Sequence, residues 1–194
     1  MLHITNGDSA ASLIRRSGVP GGVLPWRDVL HEGPVPGGLA LRELSAVRAR
    51  FISSVGWSPS PRAVEDDFIA RDDGLEMSDA AAEVVLWFEA DLYDQLQLIQ
   101  LLDWFGRHPR QTGSVTLIEI GEHEVVSPFV GFGQLTPGQI GALFPGRIEV
   151  TREHFALAQA VWNAFRASTP DSLGRALEIN LDVLPFLHSA IQRL

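Results

Sequence analysis

Apolar positions along the chain fall into two kinds of run. Four short stretches predict strands: His3–Thr5, Gly22–Trp26, Val84–Phe88 and Val115–Ile120. The third, Val84-Val85-Leu86-Trp87-Phe88, is apolar throughout rather than alternating, as in a parallel strand covered on both faces. Elsewhere the spacing turns helical. A helix is predicted over Ser9–Ser17, closed by Gly18, and another over Leu39–Val55, with Leu41, Leu44, Val47, Phe51 and Ile52 on one face. Arg62–Arg71 follows, with Asp72-Asp73-Gly74 as its stop, and then Leu92–Phe105, ended by Gly-Arg-His-Pro. The stretches HEGPVPGG and GWSPSP read as loops. From Thr136 the pattern is helical at about 136–144, 151–167, 171–179 and 183–193, with Pro137, Pro170 and Pro185 near helix starts.

Strand alternating with helix predicts an α/β fold. Residues 1–135 are expected to form a small three-layer domain, Rossmann- or flavodoxin-like, with a parallel sheet of four or five strands. Residues 136–194 are expected to form a helical part packed on it. At 194 residues and 45% hydrophobic, the chain is long and apolar enough for a proper core.

Composition removes several chemistries. With no cysteine there is no disulfide, thiolate metal site or cysteine nucleophile. All 15 basic residues are arginine, which excludes a P-loop lysine, a Schiff base and a lysine general base. A net charge of −9 argues against binding nucleic acid. No leader-like segment and no bilayer-length apolar stretch is present, so a cytoplasmic protein without membrane contact is expected. The expected partner is a small-molecule ligand and, at most, a second copy of the chain in a homodimer.

In an open parallel sheet, ligands bind outside the carboxyl ends of the strands. There the sequence puts Asn6, Gly7, Asp8 and Ser9, then Arg27, Asp28, His31 and Glu32, then Glu89, Asp91, Tyr93 and Asp94, and finally Glu122, His123 and Glu124. Carboxylates crowded on one rim need an arginine, a shared proton or a divalent cation. Mg or Mn suits carboxylate ligands, and Asp8, Glu89 and Asp91 are the expected metal ligands. Asp28, His31, Glu32 and Glu89 are the candidate proton carriers or catalytic groups. Asn6, Gly7, Ser9, Arg27 and Tyr93 are candidate ligand contacts, with the start of the first helix offering amides to an anion. Each group also has a structural role to weigh. Asp8 or Ser9 can cap the first helix, Asp91 and Asp94 the long one, and Asp28 can close its turn.

Three functional readings follow. The first is metal-assisted or acid–base chemistry, as a hydrolase or transferase, on a phosphate-containing, nucleotide-like or other polar molecule. The second is a non-catalytic module that binds a ligand or protein. The third is nucleophilic hydrolysis: Gly7-Asp8-Ser9 after the first strand resembles the nucleophile block of GDS-type esterases, and Asp28-Val29-Leu30-His31 has their Asp-x-x-His spacing. In those enzymes that block lies near the C-terminus, however, and their Gly-x-Asn-Asp block is absent here.

Three longer stretches carry a second resemblance: HITNGDSAASLIRRSGVPGGVLPWRDVLHEGPVP, VVLWFEADLYDQLQLIQLLDWF and LTPGQIGALFPGR. Together they resemble a bacterial domain-of-unknown-function family, number 1835, over essentially the whole chain. The resemblance implies weight on Asn6–Ser9, Trp26–Pro34 and Trp87–Gln95, and no assigned activity. It also implies a histidine where this chain has Ala90, and a further winged-helix-like region.

Overall fold

The computed structural model of the chain describes residues 1–57, 60–179 and 182–194. Strand β1 (Leu2–Asn6) passes straight into helix α1 (Gly7–Arg16) with no loop between them. The turn is possible because Gly7 takes φ +65°, a left-handed conformation that costs glycine little and other residues much. β2 (Gly22–Trp26), α2 (Leu41–Ser54) and α3 (Pro61–Glu76) follow, then β3 (Glu83–Glu89) and α4 (Leu92–Arg107). β4 (Ser114–Ile120), α5 (Pro137–Leu143) and β5 (Ile148–Glu149) come next, and α6 (Arg152–Phe165), α7 (Asp171–Ala176) and α8 (Leu187–Ile191) complete the described elements.

The described strands form one sheet in the order β2-β1-β3-β4-β5. β1 pairs in parallel with β2 and β3, and β3 with β4, while β5 runs antiparallel along Thr116 and Leu117. Alternation along β3 divides the interior. Val84, Leu86 and Phe88 face the side covered by α4 and α6, and Val85 and Trp87 face the side covered by α1 and α5. Both faces are therefore covered, which explains the unbroken apolar run. α4 is enclosed by the sheet on one side and α6 on the other, so even Gln95, Gln97 and Gln100 are buried.

The structure departs from the expected elements in three places. The helix expected to stop at Asp72-Asp73-Gly74 continues to Glu76. Asp72 is buried in an ion pair with Arg71 at 3.0 Å, and a Cβ on Gly74 would lie 3.0 Å from Leu24, so that glycine serves close packing rather than a turn. The region expected to be helical contributes the edge strand β5, too short to give a periodic signal. The last two helices are shorter than expected, at Asp171–Ala176 and Leu187–Ile191. Ser58 and Pro59 of the GWSPSP loop lie outside the described residues.

Two arginines are built into the interior. Arg48, fully buried, donates to Asp28 Oδ1 at 2.9 and 3.0 Å and to the carbonyls of Val29, Glu32 and Pro34 at 2.8, 2.7 and 3.2 Å. It thereby pins the HEGPVP loop to α2. Arg71 lies between the rings of Trp26 and Phe68, 3.9 and 4.2 Å from their centroids, and donates to Asp72, Ser45 and the Arg27 carbonyl. Removing one member of such a pair strands the other in a low-dielectric interior. Arg48→Ala is expected to cost roughly 3–5 kcal/mol, read as a lower urea midpoint at unchanged m-value. Arg42→Ala, which removes exposed pairs with Asp73 and Glu76, is expected to cost far less.

Candidate functional site

The order of the sheet reverses between β1 and β3, the place where open parallel sheets bind ligands at their carboxyl ends. Glu89 ends β3, Asp91 precedes α4, and Asp94 lies in its first turn. One carboxylate oxygen from each lies within 4.8 Å of the other two. Local chemistry explains the arrangement. Asp91 Oδ1 accepts from the Asp94 amide at 2.9 Å, an ordinary helix cap. Asp94 is turned inward: Oδ2 accepts from the Glu89 amide at 2.6 Å, and Oδ1 from the Asn6 side chain. Asn6 therefore leaves α1 without a side-chain cap. Gln97 donates to Asn6 Oδ1 at 3.1 Å and to the Asp28 carbonyl at 2.8 Å, which ties the end of β2 to the same point.

Glu89 is held from the other side. Its Oε1 accepts from the Phe132 amide at 2.5 Å, and Gly131 passes so close that a Cβ there would lie 2.3 Å from Oε2. Gln95 donates to the Glu89 carbonyl and to Glu119 Oε1, each at 2.8 Å. Glu89 Oε2 and Asp91 Oδ2 accept no hydrogen bond among the described residues.

No ion pair among the described residues joins this group to an arginine. Arg27 is committed to Asp8 and Asp67, and Arg48 and Arg71 to Asp28 and Asp72. The charge is uncompensated, and the acidities respond. Burial pushes Glu89 up to about 7, aided by Asp91 and opposed by the Phe132 amide. Burial, with Glu89 and Asp91 nearby, pushes Asp94 up to about 8 against the donors Glu89 N–H and Asn6. Burial also pushes Glu119 up to about 7.

The other expected site residues are placed as follows. Asp8 is exposed and paired bidentately with Arg27 at 2.6 and 2.8 Å, which holds its carboxyl below the usual range. Asp94, not Asp8, completes the acidic group. Asp28 is turned away onto Arg48, and its carboxylate does not join the rim. The His31 ring packs edge-on against Tyr93, centroids 4.0 Å apart, with Nε2 3.7 Å from Glu32 Oε1 and Nδ1 buried without a partner. His31 thus packs against Tyr93, which lies between Asp91 and Asp94 in the first turn of α4. Ser9 is exposed and makes no hydrogen bond to His31, so no Ser–His–Asp relay forms among the described residues. His123 stacks on Phe129 and stays outside the group. Ala90, where the resemblance implies a histidine, lies beside Gly121 and Phe186. Asp94, expected on the rim and as a companion to the cap, joins the acidic group, and Gln95, Gln97, Glu119 and Gly131 complete the site beyond the expected set; polar residues close together at the start of a leucine-rich helix were the available signal.

Comparison of the chain with protein-family models, curated proteins and solved structures returned no match. A cleft of about 620 Å³ opens at the other end of α4, and one of about 760 Å³ is bordered by Glu119 and Ile120 at the end of β4.

The raised acidities carry a signed consequence. Between the ordinary carboxylate range and pH 7–8 the folded chain holds protons that the unfolded chain has lost, so stability falls as pH rises through that window. His3 acts oppositely, and only near and below its ordinary 6.5, because burial lowers it. From about pH 6.5 to about pH 8 the melting temperature is expected to fall. Glu89→Gln and Glu119→Gln, which keep the acceptor oxygen and remove the charge, should each flatten that slope in pH-resolved thermal melts.

Proposed function

We propose that the chain binds a divalent cation, Mg or Mn, together with a small phosphate-bearing or similarly anionic ligand at the carboxyl ends of β1 and β3. The observation that carries this reading is the convergence of Glu89, Asp91 and Asp94 within 4.8 Å without a compensating arginine among the described residues. Oxygen-only ligands suit a hard cation. Glu89 Oε2 and Asp91 Oδ2 are the oxygens left to meet it, while Asp94, with both oxygens engaged, adds charge and holds the turn. The uncapped start of α1 lies on the same rim and offers amides to an anion. A cation beside an anion-seeking helix start fits a phosphate ester, and His31 is the group at hand to move a proton in a hydrolase or transferase. The flavodoxin-like assignment belongs to this reading too, since the order β2-β1-β3-β4 matches that class and its ligands sit at the β1/β3 switch point. So does membership of domain family 1835, on the motifs quoted above.

A purely structural reading has its own support: Asp91 Oδ1 caps α4, and both oxygens of Asp94 are engaged at its start. Two substitutions separate the readings. Asp91→Asn keeps a good cap and loses the charge. Gly131→Ala adds a methyl against Glu89 in extended backbone that any residue adopts, at φ 163°. Mg or Mn at about a hundred times its dissociation constant should raise the stability of the parent by about 2.7 kcal/mol. Both variants should fold and lose most of that gain in thermal melts. An unchanged response in Asp91→Asn, or none in the parent, would leave the carboxylates as caps.

A further inference from the structure

At the opposite end of α4, far from the acidic rim, α2, α4 and α6 enclose a cleft of about 620 Å³. Its size is that of a small-molecule site. Three arginines line it, and two are neutralised within the cleft wall. Arg42 reaches Asp73 and Glu76, each at 2.6 Å, and Arg107 grips Asp103 at 2.9 Å. Arg166 has no carboxylate in ion-pair range among the described residues; the only carboxylate that acts on it, Asp103, is held by Arg107. Its guanidinium is half-buried, lies 4.7 Å over the Trp162 ring, and donates only to neutral acceptors, the Trp162 carbonyl at 3.4 Å and Asn163 Oδ1 at 3.3 Å. Arg107 donates to that same Asn163 oxygen at 3.3 Å. Two guanidinium groups thus converge on one neutral amide oxygen. Burial and the Arg107 charge both work against the Arg166 cation. The rest of the lining is largely apolar and aromatic, with Leu39 and Leu41 at the start of α2 and the stacked pair Trp104 and His108 at the end of α4, rings 4.6 Å apart.

We propose that this cleft is a second binding site, for an organic anion whose carboxylate or phosphate is taken by Arg166 and Arg107 and whose flat apolar body lies against Trp104, Leu39 and Leu41. A forked guanidinium pair matches a two-oxygen anion, and an anion entering there supplies the counter-charge that Arg166 lacks. In a chain of net charge −9, a half-buried arginine that lines an open cleft with no carboxylate in ion-pair range among the described residues is poorly explained by packing alone.

The test is titration with phenyl phosphate in the presence of a chelator, which separates this site from a cation-dependent one, read by tryptophan fluorescence and by indole N–H shifts in NMR spectra. The expected result is saturable binding below about 10 mM, with the largest shifts on Trp104 and Trp162. Inorganic phosphate and phenol, each carrying half the chemistry, should bind at least about tenfold more weakly. Arg166→Gln should weaken phenyl phosphate at least about tenfold and Arg166→Lys less, with Arg15→Gln as the unaffected control. Arg166 lies just past the end of α6, so far-UV circular dichroism can verify that each variant is folded; Arg107→Gln gives a second test of the anion contact. No saturable response in the parent, shifts centred on the start of α1, or undiminished binding by folded Arg166→Gln would each overturn the proposal.

Discussion

The side chain of Asn6 is placed as a helix cap and is used as something else. It ends β1, and an asparagine there would ordinarily bond back to the first amides of α1. Here its amide donates to Asp94 and its oxygen accepts from Gln97, so the end of β1 is fastened to α4 instead. Asp94 in turn holds the backbone of Glu89, and Gln97 that of Asp28. Three strand ends and one helix start meet through two amides and a buried carboxylate. The position of Glu89 at the rim, the bare start of α1 and the direction in which α4 leaves the sheet all depend on that knot. Asp94 and Gln97 are buried and Asn6 is half-buried, and hydrogen bonds away from water are worth most when made and most costly when broken.

The same economy of partners explains why charge collects where it does. The chain has arginine and no lysine, and a guanidinium carries several donors in a fixed fork. Arg48 uses its fork to gather Asp28 and three loop carbonyls, and Arg71 to bind Asp72 and Ser45 between two rings. These cations are spent on building the layer beyond β2. Neither reaches Glu89, Asp91 or Asp94, and burial, with neighbouring carboxylates adding to it, pushes the acidities of Glu89 and Asp94 toward neutral pH. A carboxylate in a half-buried rim that keeps its proton near neutral pH is ready either to exchange it for a cation or to pass it on.

Much of the fold was legible in the sequence because burial leaves a mark on residue order. The β3 run Val84–Phe88 is apolar throughout and the α4 stretch Leu92–Phe105 is rich in leucine, and each lies between two covering layers. β5 was illegible because two exposed residues carry no period. Gly74 misled for a physical reason: glycine breaks helices when backbone freedom is wanted and joins them when a neighbour comes close, and the sequence does not say which. At the site, Glu89 and Asp91 could be named because they stand where a strand stops. Asp28 stands in an equivalent place and goes elsewhere, because its partner Arg48 lies 20 residues away on α2, and no local pattern reports a partner at that distance. Asp94 read as a cap's companion, and only the packing of α4 against the sheet turns it inward.

The two ends of α4 show how far electrostatics alone can be taken. Sixteen residues long, it spans about 24 Å, with carboxylates at its start and guanidinium groups at its end. That polarity is what the helix dipole favours, so acids at one end and arginines at the other need no ligand to explain them. The dipole explains a sign, however, and not an excess. One capping aspartate would satisfy the start, yet a second carboxylate is buried there at the cost of its ionisation and a third comes from β3. One arginine in the last turn would satisfy the end, and Arg107 already serves, paired with Asp103. Arg166 comes from another helix, half-buried, with only neutral acceptors. The excess at each end lies beyond what stabilising α4 requires, and it is opposite in sign. On the two proposals above the acidic end takes a cation and the basic end an anion, with the length of the helix keeping the two apart.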